Sequence, residues 1–448
     1  MTVAHSTARV GGAAAALAVG LLLVSAPVRS LAAPPPALPA LPAEAPQPSA
    51  PTVAAALAGP LADPSLGAAV LGEVLDARSG QPLWQAAPNA PVRPASTAKL
   101  LTAAAALTTL TTGPRTALLT AAPVTAGTLR GDLVLRGGGD VLLSAQPTAV
   151  WPARASMDEL AAGLRAAGVR RVEGALVADG SAWQGPRVAP GWRPDYLSQG
   201  SVAPVSALGV DEGGEPLTAR GDRGADPPLA AVRALRGAFA RQAITVTGPD
   251  ATGVAPTGAR TLAAVSGPPA AVAVAEMLQN SDNDMAESLA RQVAAARGLP
   301  TSFAGAAQAV TAAVDAMAVP VDGLNLVDGS GLSREDRVAP ATLAALLHLA
   351  AAPAQLGGRP QLRPLITSLA TAAFDGTLTK RYRSGQQRAA AGVVRAKTGA
   401  LLGVSALAGS VVDLRGRELL FVLLSNGVTR RSSAEAALDR AASALAGL

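Results

Sequence analysis

Apolar and polar residues alternate in short segments near both ends of the chain, and this period of two predicts β-strands. The predicted strands are residues 66–76, 82–85, 393–398, 404–413 and 418–425. Segments in which apolar residues recur with helical spacing lie between these two groups. Strands from both ends of the sequence, with helices between them, predict one antiparallel sheet flanked by helices, which is an α+β fold.

The helical segments have recognisable starts and ends. The first begins at about Ser96 and closes before Gly113 and Pro114, which rarely continue a helix. The other predicted helices are residues 270–279, 284–295, 306–317, 340–351 and 433–445.

Residues 116–264 differ from the rest of the chain in their sequence pattern, because short strand candidates alternate there with many glycines and prolines. This pattern predicts a large insert of one or two β-rich modules. Its predicted elements are strands at 132–136, 171–178 and 243–246 and a helix at 157–167.

The N-terminal segment has the pattern of an export signal. Arg9 precedes an apolar run over residues 10–26, and Ser30-Leu31-Ala32 supplies small residues suited to cleavage. Residues 1–32 are therefore predicted to be a signal peptide, or a membrane anchor if they are not cleaved. The Pro- and Ala-rich residues 33–52 predict an extended linker. We expect an extracytoplasmic protein, secreted or attached to the cell envelope, that touches a membrane only through this segment.

The residue types that are missing narrow the possible chemistry. The 448 residues include no cysteine, and the two histidines are His5 in the leader and His348 in an apolar run. The absence of cysteine excludes thiol nucleophiles, cysteine–zinc sites and disulfides. A Ser-His-Asp triad is disfavoured, because only these two histidines could supply its imidazole. A base must then be Lys, Asp, Glu or Tyr. The three lysines are Lys99, Lys380 and Lys397, and all other basic residues are arginine, which keeps its proton in proteins.

The net charge of +6 at pH 7 leaves a nucleic-acid binder as a distant alternative. However, the arginines are dispersed, and four Phe, four Trp and two Tyr provide few groups for base stacking. We expect no nucleic-acid partner, and the positive balance is compatible with an anionic cell envelope.

Two short motifs near helix starts carry candidate chemistry. Ser96 and Lys99 are three positions apart in S-x-x-K and share one helix face, so the lysine can serve as base for a serine nucleophile. In Ser281-Asp282-Asn283, the Ser281 hydroxyl can pass a proton to a leaving group, and the Asn283 amide can hold a substrate carbonyl. Taken singly, each motif also fits an ordinary helix cap.

A third motif, Lys397-Thr398-Gly399, ends a predicted strand. Lys397 and Thr398 can bind a terminal carboxylate and supply a positive field that lowers the pKa of Lys99. Gly399 lets a substrate backbone approach as an added strand. Taken alone, this motif also fits a solvated lysine before a turn.

The three motifs together, in this order, resemble those of penicillin-binding proteins. Their flanks, PASTAKLLTAAAAL, NSDNDMAESLAR and AKTGALLG, resemble active-site segments of class C low-molecular-mass penicillin-binding proteins, the D-alanyl-D-alanine carboxypeptidase/endopeptidases. Further resembling stretches are GDLVLRGGGD (131–140), APVSALGVDEG (203–213), VDGSGLSR (327–334) and DGTL (375–378). The 182 positions between Lys99 and Ser281 are too many for a compact β-lactamase core and fit a class with an insert there.

The resemblance implies a penicillin-recognition fold of the serine β-lactamase and DD-peptidase type. Its catalytic domain would be split into residues 53–115 and 265–448 around an insert at 116–264. The implied activity is acyl transfer on peptidoglycan stem peptides, which releases D-Ala or cleaves cross-links at the same site. The resemblance implies no metal and no organic cofactor, and acylation by β-lactams.

Site residues follow from the resemblance by position. Ser96 is the acylated nucleophile and Lys99 its base, while Ser281 and Asn283 line the cleft. Lys397, with Thr398, holds the terminal carboxylate.

The remaining implied residues bind the substrate. The backbone amides of Ser96 and Ala400 form the oxyanion hole beside Gly399. Where this chain has Ala400 the family often has Thr or Ser, so the amide is kept and a hydroxyl is absent. Ser330, Arg334 and Asp195 match positions that recognise the peptide's side chain.

Two other functions remain as alternatives. A β-lactamase or esterase on the same scaffold needs an acid that activates water, and no E-x-x-L-N segment follows Ser281 at a suitable place. A non-catalytic envelope-binding or structural protein would not need the three motifs, all of which are intact here.

Overall fold

A computed structural model describes residues 45–147, 152–213 and 223–448. The predicted signal or anchor at 1–32, and the predicted linker up to residue 44, lie outside the described residues. The end of the predicted linker is not extended, because a helix begins at Ala50 and the Ser49 hydroxyl caps it. None of the helices in the described ranges combines the length and the apolar character needed to cross a membrane.

The helices and strands follow one another in chain order. The helices are α1 (Ala50–Leu61), α2 (Lys99–Thr109), α3 (Met157–Ala166), α4 (Asp195–Ser198), α5 (Pro227–Arg241), α6 (Ala270–Asn280), α7 (Asn283–Ala296), α8 (Phe303–Asp315), α9 (Pro340–Ala351), α10 (Pro364–Thr367) and α11 (Arg431–Ala446). The strands are β1 (Val70–Asp76), β2 (Pro82–Ala86), β3 (Arg115–Thr120), β4 (Val124–Thr125), β5 (Thr128–Leu129), β6 (Leu133–Arg136), β7 (Arg171–Val172), β8 (Leu176–Asp179), β9 (Thr245–Val246), β10 (Asp250–Thr252), β11 (Arg260–Ser266), β12 (Ala370–Thr371), β13 (Val394–Leu401), β14 (Val404–Val412) and β15 (Glu418–Asn426).

Strands from the two ends of the chain form one six-stranded sheet, in the order β12-β13-β14-β15-β1-β2. Every neighbouring pair in this sheet is antiparallel. The predicted antiparallel sheet and the predicted α+β class are therefore confirmed.

The sheet is buried on both faces, and the sequence of β15 shows why. Leu420, Val422 and Leu424 pack with α2 and α6–α9 in one hydrophobic core. Leu419, Phe421 and Leu423 point to the opposite face and pack with α1 and α11 in a second core. Because side chains alternate along a strand, a continuous apolar run can serve two cores at once.

The strands from β3 to β11, both included, form two smaller sheets. One has five strands in the order β10-β8-β6-β3-β11, and the other has four in the order β4-β5-β7-β9. Helices α3 and α5 pack on them around a third hydrophobic core. The predicted single strand at 171–178 is in fact two strands, β7 and β8, which belong to different sheets.

The structure also extends the strand that carries the third motif. The predicted strand ended at residue 398, whereas β13 continues to Leu401 because its pairing with β14 runs through Gly399 and Ala400. The turn comes instead at Gly403, which has a positive φ of 80°. Lys397, Thr398 and Gly399 therefore lie within a strand rather than at its end.

Candidate active site

Ser96 lies on a short 3₁₀ turn, Ala95–Ala98, that leads directly into α2. The predicted α-helix from Ser96 therefore begins three residues later, at Lys99. This turn packs against β13, because an added Cβ on Gly399 would lie 2.9 Å from the Pro94 carbonyl oxygen and 3.2 Å from the Ala95 Cβ. The structure thus gives Gly399 a packing role, since it lets β13 approach the serine turn.

The Lys99 side chain is fully buried and directed at Ser96. Its Nζ lies 3.0 Å from Ser96 Oγ, 2.6 Å from Asn283 Oδ1 and 2.7 Å from the Ser330 carbonyl oxygen. Three acceptors match the three donors of an ammonium group. A neutral Lys99 amine keeps a lone pair and can accept a proton from the serine.

Burial lowers the pKa of Lys99 to about 8. The positive charge of Arg223 contributes to the lowering, whereas the carboxylates of Asp328 and Asp282 act in the opposite direction. Loss of hydration is the largest cause of the lowered pKa. The repulsion between the two lysines that the sequence predicts is found on the partner, since burial and the charge of Lys99 both lower the pKa of Lys397.

The second motif lies at a break between two helices. Ser281 ends α6 in a left-handed conformation with φ 62°, and Asp282 caps α7, where its carboxylate accepts from the Met285 amide at 2.8 Å. Asn283 is the first residue of α7, and its Nδ2 donates to the Ser201 carbonyl oxygen at 2.7 Å. The second Nδ2 hydrogen remains available for a substrate carbonyl.

Lys397 is also fully buried, and its Nζ donates to Ser281 Oγ at 2.8 Å and to the Thr398 carbonyl oxygen at 2.9 Å. Burial and the charge of Lys99 hold the pKa of Lys397 well below its ordinary value. Thr398 donates from Oγ1 to Oγ1 of Thr377 at 3.1 Å. The structure therefore brings the three sequence motifs together around Ser96.

An open cleft of about 450 Å³ runs over these residues. Ser96, Ser281, Asn283 and Ala400 line it, while the two lysines lie beneath its surface. Leu401 and Leu402 add an apolar wall. The cleft can therefore hold an extended peptide next to the Ser96 hydroxyl.

Asp195 lines the same cleft, but its carboxylate already has partners. Arg193 donates to both carboxylate oxygens, at 2.9 and 2.7 Å, and Gln199 donates to one of them at 2.8 Å. These contacts lower the pKa of Asp195, with the Arg193 hydrogen bond as the largest cause. Arg193 and Tyr196 also line the cleft, and neither was predicted from the sequence.

Ser330, which the resemblance places among the substrate-binding residues, is fully buried and is not among the residues that line this cleft. Its carbonyl accepts from Lys99 instead. Glu287, in α7, accepts from the Ser330 amide at 2.9 Å, and Asp328 accepts from it at 3.1 Å. Arg291, which lies 3.3 Å from Glu287, completes this buried support. These residues position the Ser330 carbonyl toward Lys99.

Arg334 is half-buried at the end of the same loop and is absent from the cleft lining. Its carbonyl accepts from Arg93 Nε at 2.9 Å.

His348 also lies away from the cleft, in α9, where its Nδ1 is 3.1 Å from the Ala77 carbonyl oxygen. In the part of the chain that the structure describes, no three acidic or histidine side chains are grouped so that they could hold a metal ion.

Known proteins share this sequence and fold. The chain matches the model of the D-Ala-D-Ala carboxypeptidase 3 (S13) family over residues 53–226 and 217–446. It is 41% identical over 402 residues to carboxypeptidase DacB of Mycolicibacterium smegmatis, and the match covers 88% of this chain and 84% of that protein. It is 32% identical over 453 residues to a D-alanyl-D-alanine carboxypeptidase of an Actinomadura species, with 82% of this chain and 79% of that protein covered.

The crystal structure of penicillin binding protein 4 from Haemophilus influenzae has the same fold, with a TM-score of 0.70 at 23% identity. The match covers 86% of this chain and 97% of that chain. It confirms the predicted penicillin-recognition fold. Since the family model spans most of the residues and two relatives exceed 30% identity, the chain belongs to the D-Ala-D-Ala carboxypeptidase 3 (S13) family, which confirms its resemblance to class C low-molecular-mass penicillin-binding proteins.

Proposed function

We propose that the chain is a serine DD-peptidase that cleaves after D-Ala in peptidoglycan stem peptides and is acylated by β-lactams. One observation carries this proposal: Lys99 Nζ lies 3.0 Å from Ser96 Oγ, and the pKa of Lys99 is lowered to about 8. A base is most effective when its pKa is near the working pH. The names of the relatives, carboxypeptidase and D-alanyl-D-alanine carboxypeptidase, support the same activity.

Acylation begins when neutral Lys99 takes the hydroxyl proton of Ser96. The serine oxygen bonds to the carbonyl carbon of the penultimate D-Ala, and the negative charge on the carbonyl oxygen is held by the amides of Ser96 and Ala400. Loss of one such donor typically costs about a hundred- to a thousandfold in rate. The substrate's terminal carboxylate lies by Lys397 and Thr398.

The tetrahedral intermediate then collapses as the C–N bond breaks. The leaving amine needs a proton, and the Ser281 hydroxyl, which accepts a hydrogen bond from Lys397, relays to it the proton that Lys99 took from Ser96. Lys99 is then neutral again. D-Ala leaves, or the amine of a cross-linked peptide leaves in endopeptidase cleavage. Water finally hydrolyses the Ser96 ester. Lys99 takes a proton from the attacking water and returns it to the Ser96 oxygen as the acyl bond breaks.

The proposed catalytic domain consists of residues 53–115 and 265–448, with residues 116–264 as an insert. The six-stranded sheet and all three motifs come from the first two segments, which supports this division. The insert contributes Asp195 and Ser201 to the cleft lining.

We propose that residues 1–32 direct the protein out of the cytoplasm to the cell envelope, which contains the peptidoglycan. Mass determination of the protein recovered from culture medium and from membranes distinguishes a cleaved signal from a retained anchor.

Labelling with a fluorescent penicillin tests the nucleophile. The unmodified chain should carry the label on a denaturing gel, and Ser96→Ala should abolish it. Ser49→Ala, which removes a helix-capping serine at the start of α1, is the matched control and should label normally. Mass spectrometry of muropeptides incubated with the purified protein then shows release of D-Ala or cleavage of cross-links. If the protein is labelled by penicillin but neither releases D-Ala nor cleaves cross-links, the proposed peptidase activity is wrong.

A β-lactamase on this scaffold is the competing enzyme. Asp195 is an acid in the cleft lining, but Arg193 and Gln199 already hold its carboxylate. It is therefore poorly placed to activate water against the acyl-enzyme. We expect the penicilloyl label to persist, and rapid release of hydrolysed penicillin would favour the β-lactamase instead.

A further inference from the structure

The Thr377 hydroxyl adjoins the groups that are proposed to hold the substrate's carboxylate. Its Oγ1 accepts a hydrogen bond of 3.1 Å from Thr398 Oγ1. Thr398 follows Lys397, whose Nζ lies 2.8 Å from Ser281 Oγ. Lys397 therefore contacts the Ser281 hydroxyl directly, and the hydroxyl of its chain neighbour Thr398 contacts that of Thr377. We call the hydroxyls of Ser281, Thr377 and Thr398 the hydroxyl cluster.

The chain builds a specific turn to present Thr377. Asp375 Oδ1 accepts from the Thr371 amide at 2.6 Å, which ties the turn to β12. Gly376 has a positive φ of 50°, and a Cβ on it would lie 2.3 Å from the Gln279 carbonyl oxygen. Only glycine allows this approach to the end of α6. The turn is thus anchored to the same helix end that carries Ser281.

Thr377 is also partly exposed to solvent. Thr377 is half-buried and lines a depression next to the catalytic cleft, and Ser281 lines both. Since the Thr377 oxygen accepts the bond from Thr398, its own proton can be donated to another acceptor. A carboxylate has about four acceptor positions on its two oxygens. Ala400, the residue after the third motif, has no side-chain donor to offer.

We infer that Thr377, with its hydroxyl oriented by the bond from Thr398, binds the terminal carboxylate of the substrate and is a specificity residue for a free C-terminus. This inference rests on the proposed DD-peptidase function. The Thr377 proton fills one acceptor position of the carboxylate. The bound anion in turn favours the charged form of Lys397 beside the hydroxyl cluster. A substrate whose C-terminus is blocked as an ester or amide lacks this charge and gains little from the contact.

The test uses two variants of nearly the same size. Thr377→Val removes the hydroxyl, and Thr377→Ser keeps it. Thr379→Val is the matched control, because the Thr379 hydroxyl lies in the next turn and donates to the Gly376 carbonyl at 2.8 Å. Each protein is assayed for acylation by benzylpenicillin and by its methyl ester, and for cleavage of an acylated D-Ala-D-Ala peptide and its C-terminal amide.

We expect Thr377→Val to lower kcat/KM for the free-acid peptide and the penicillin acylation rate by about tenfold, as for loss of a hydrogen bond to a charged group. The ester and amide should react at rates close to those of the unmodified protein. Thr377→Ser should retain most of the activity, and Thr379→Val should not change the ratio of acid to ester.

Other outcomes overturn the inference. Equal losses on acid and ester would mean that Thr377 supports the fold of the turn, and no loss on either would mean that it does not touch the carboxylate. A loss of acid preference in Thr379→Val as large as in Thr377→Val would also show that the turn, and not the Thr377 hydroxyl, sets the preference. If the unmodified protein neither takes the penicillin label nor cleaves the peptide, the proposed function is wrong and the inference fails with it.

Discussion

The ammonium nitrogen of Lys397 lies 2.8 Å from the hydroxyl oxygen of Ser281, although 116 positions separate the two residues in the chain. Lys397 is inside β13, and Ser281 is at the left-handed break between α6 and α7. The contact therefore joins the sheet to the helices on the far side of the cleft. It also provides a donor–acceptor chain that ends at the position of the leaving group.

Removing the Ser281 hydroxyl should impair proton delivery to the leaving amine. We expect Ser281→Ala to lower peptide cleavage by about a hundredfold, the usual size of a general-acid contribution. A thioester with the same acyl group should be affected far less, because a thiolate leaves without a proton. Parallel kinetics with the two substrates measure this. Equal losses would contradict a role in proton delivery.

The rate of acylation should increase with pH. The lowered pKa of Lys99, about 8, means that its amine is mostly protonated at pH 7 and mostly neutral at pH 9. Only the neutral amine can accept the Ser96 proton, so the rate of penicillin labelling should rise through a midpoint near 8. Rapid-mixing measurements from pH 6 to 10 check this, and a flat or falling profile would rule out Lys99 as the base.

The charge of Arg223 should affect the pH midpoint of the acylation rate. Its guanidinium lowers the pKa of Lys99 and also pairs with Asp282, at 2.5 Å, and with Asp284. Arg223→Gln removes a positive charge and exposes the Asp282 charge, and both changes should move the midpoint upward. Arg241→Gln, which breaks a comparable ion pair with Asp158 in the insert, is the control and should leave it unchanged. A midpoint that stays in place or moves downward in Arg223→Gln would be inconsistent with this electrostatic role.

The buried Lys99 should also make stability depend on pH. Its pKa is about 8 in the folded protein and 10.5 in an exposed chain, so between these values the unfolded state binds more protons. Stability relative to Lys99→Met should therefore rise with pH across this window, by roughly 3 kcal/mol in total. Urea unfolding of both proteins at pH 7.5 and 10 measures the change. A difference that stays constant would indicate that the folded pKa is not lowered.

Much of the six-stranded sheet could be predicted, because its strands have clear alternation or continuous apolar runs. The three motifs could be found for a similar reason, since each is contiguous in sequence. Their convergence could be expected only through the resemblance, because distances between segments are set by packing and not by local pattern.

Other structural features could not be predicted from local sequence patterns. Helix α5 was not predicted, because the many glycines and prolines of residues 116–264 indicated turns. It begins at Pro227, and proline is favourable in the first turn of a helix. The contact of Ser330 with Lys99 uses a backbone carbonyl, which every residue type offers. The role of Glu287 likewise depends on two backbone amides from a loop that lies about forty positions further along the chain.

The order of strands in the six-stranded sheet has a consequence for biosynthesis. β1, near the start of the described chain, pairs with β15, near its end, and Lys397 comes 301 positions after Ser96. A partly synthesised polypeptide that ends within the insert contains Ser96 and Lys99 but lacks β12 to β15 and Lys397. It can therefore form neither the six-stranded sheet nor the proposed catalytic site, both of which require residues after the insert.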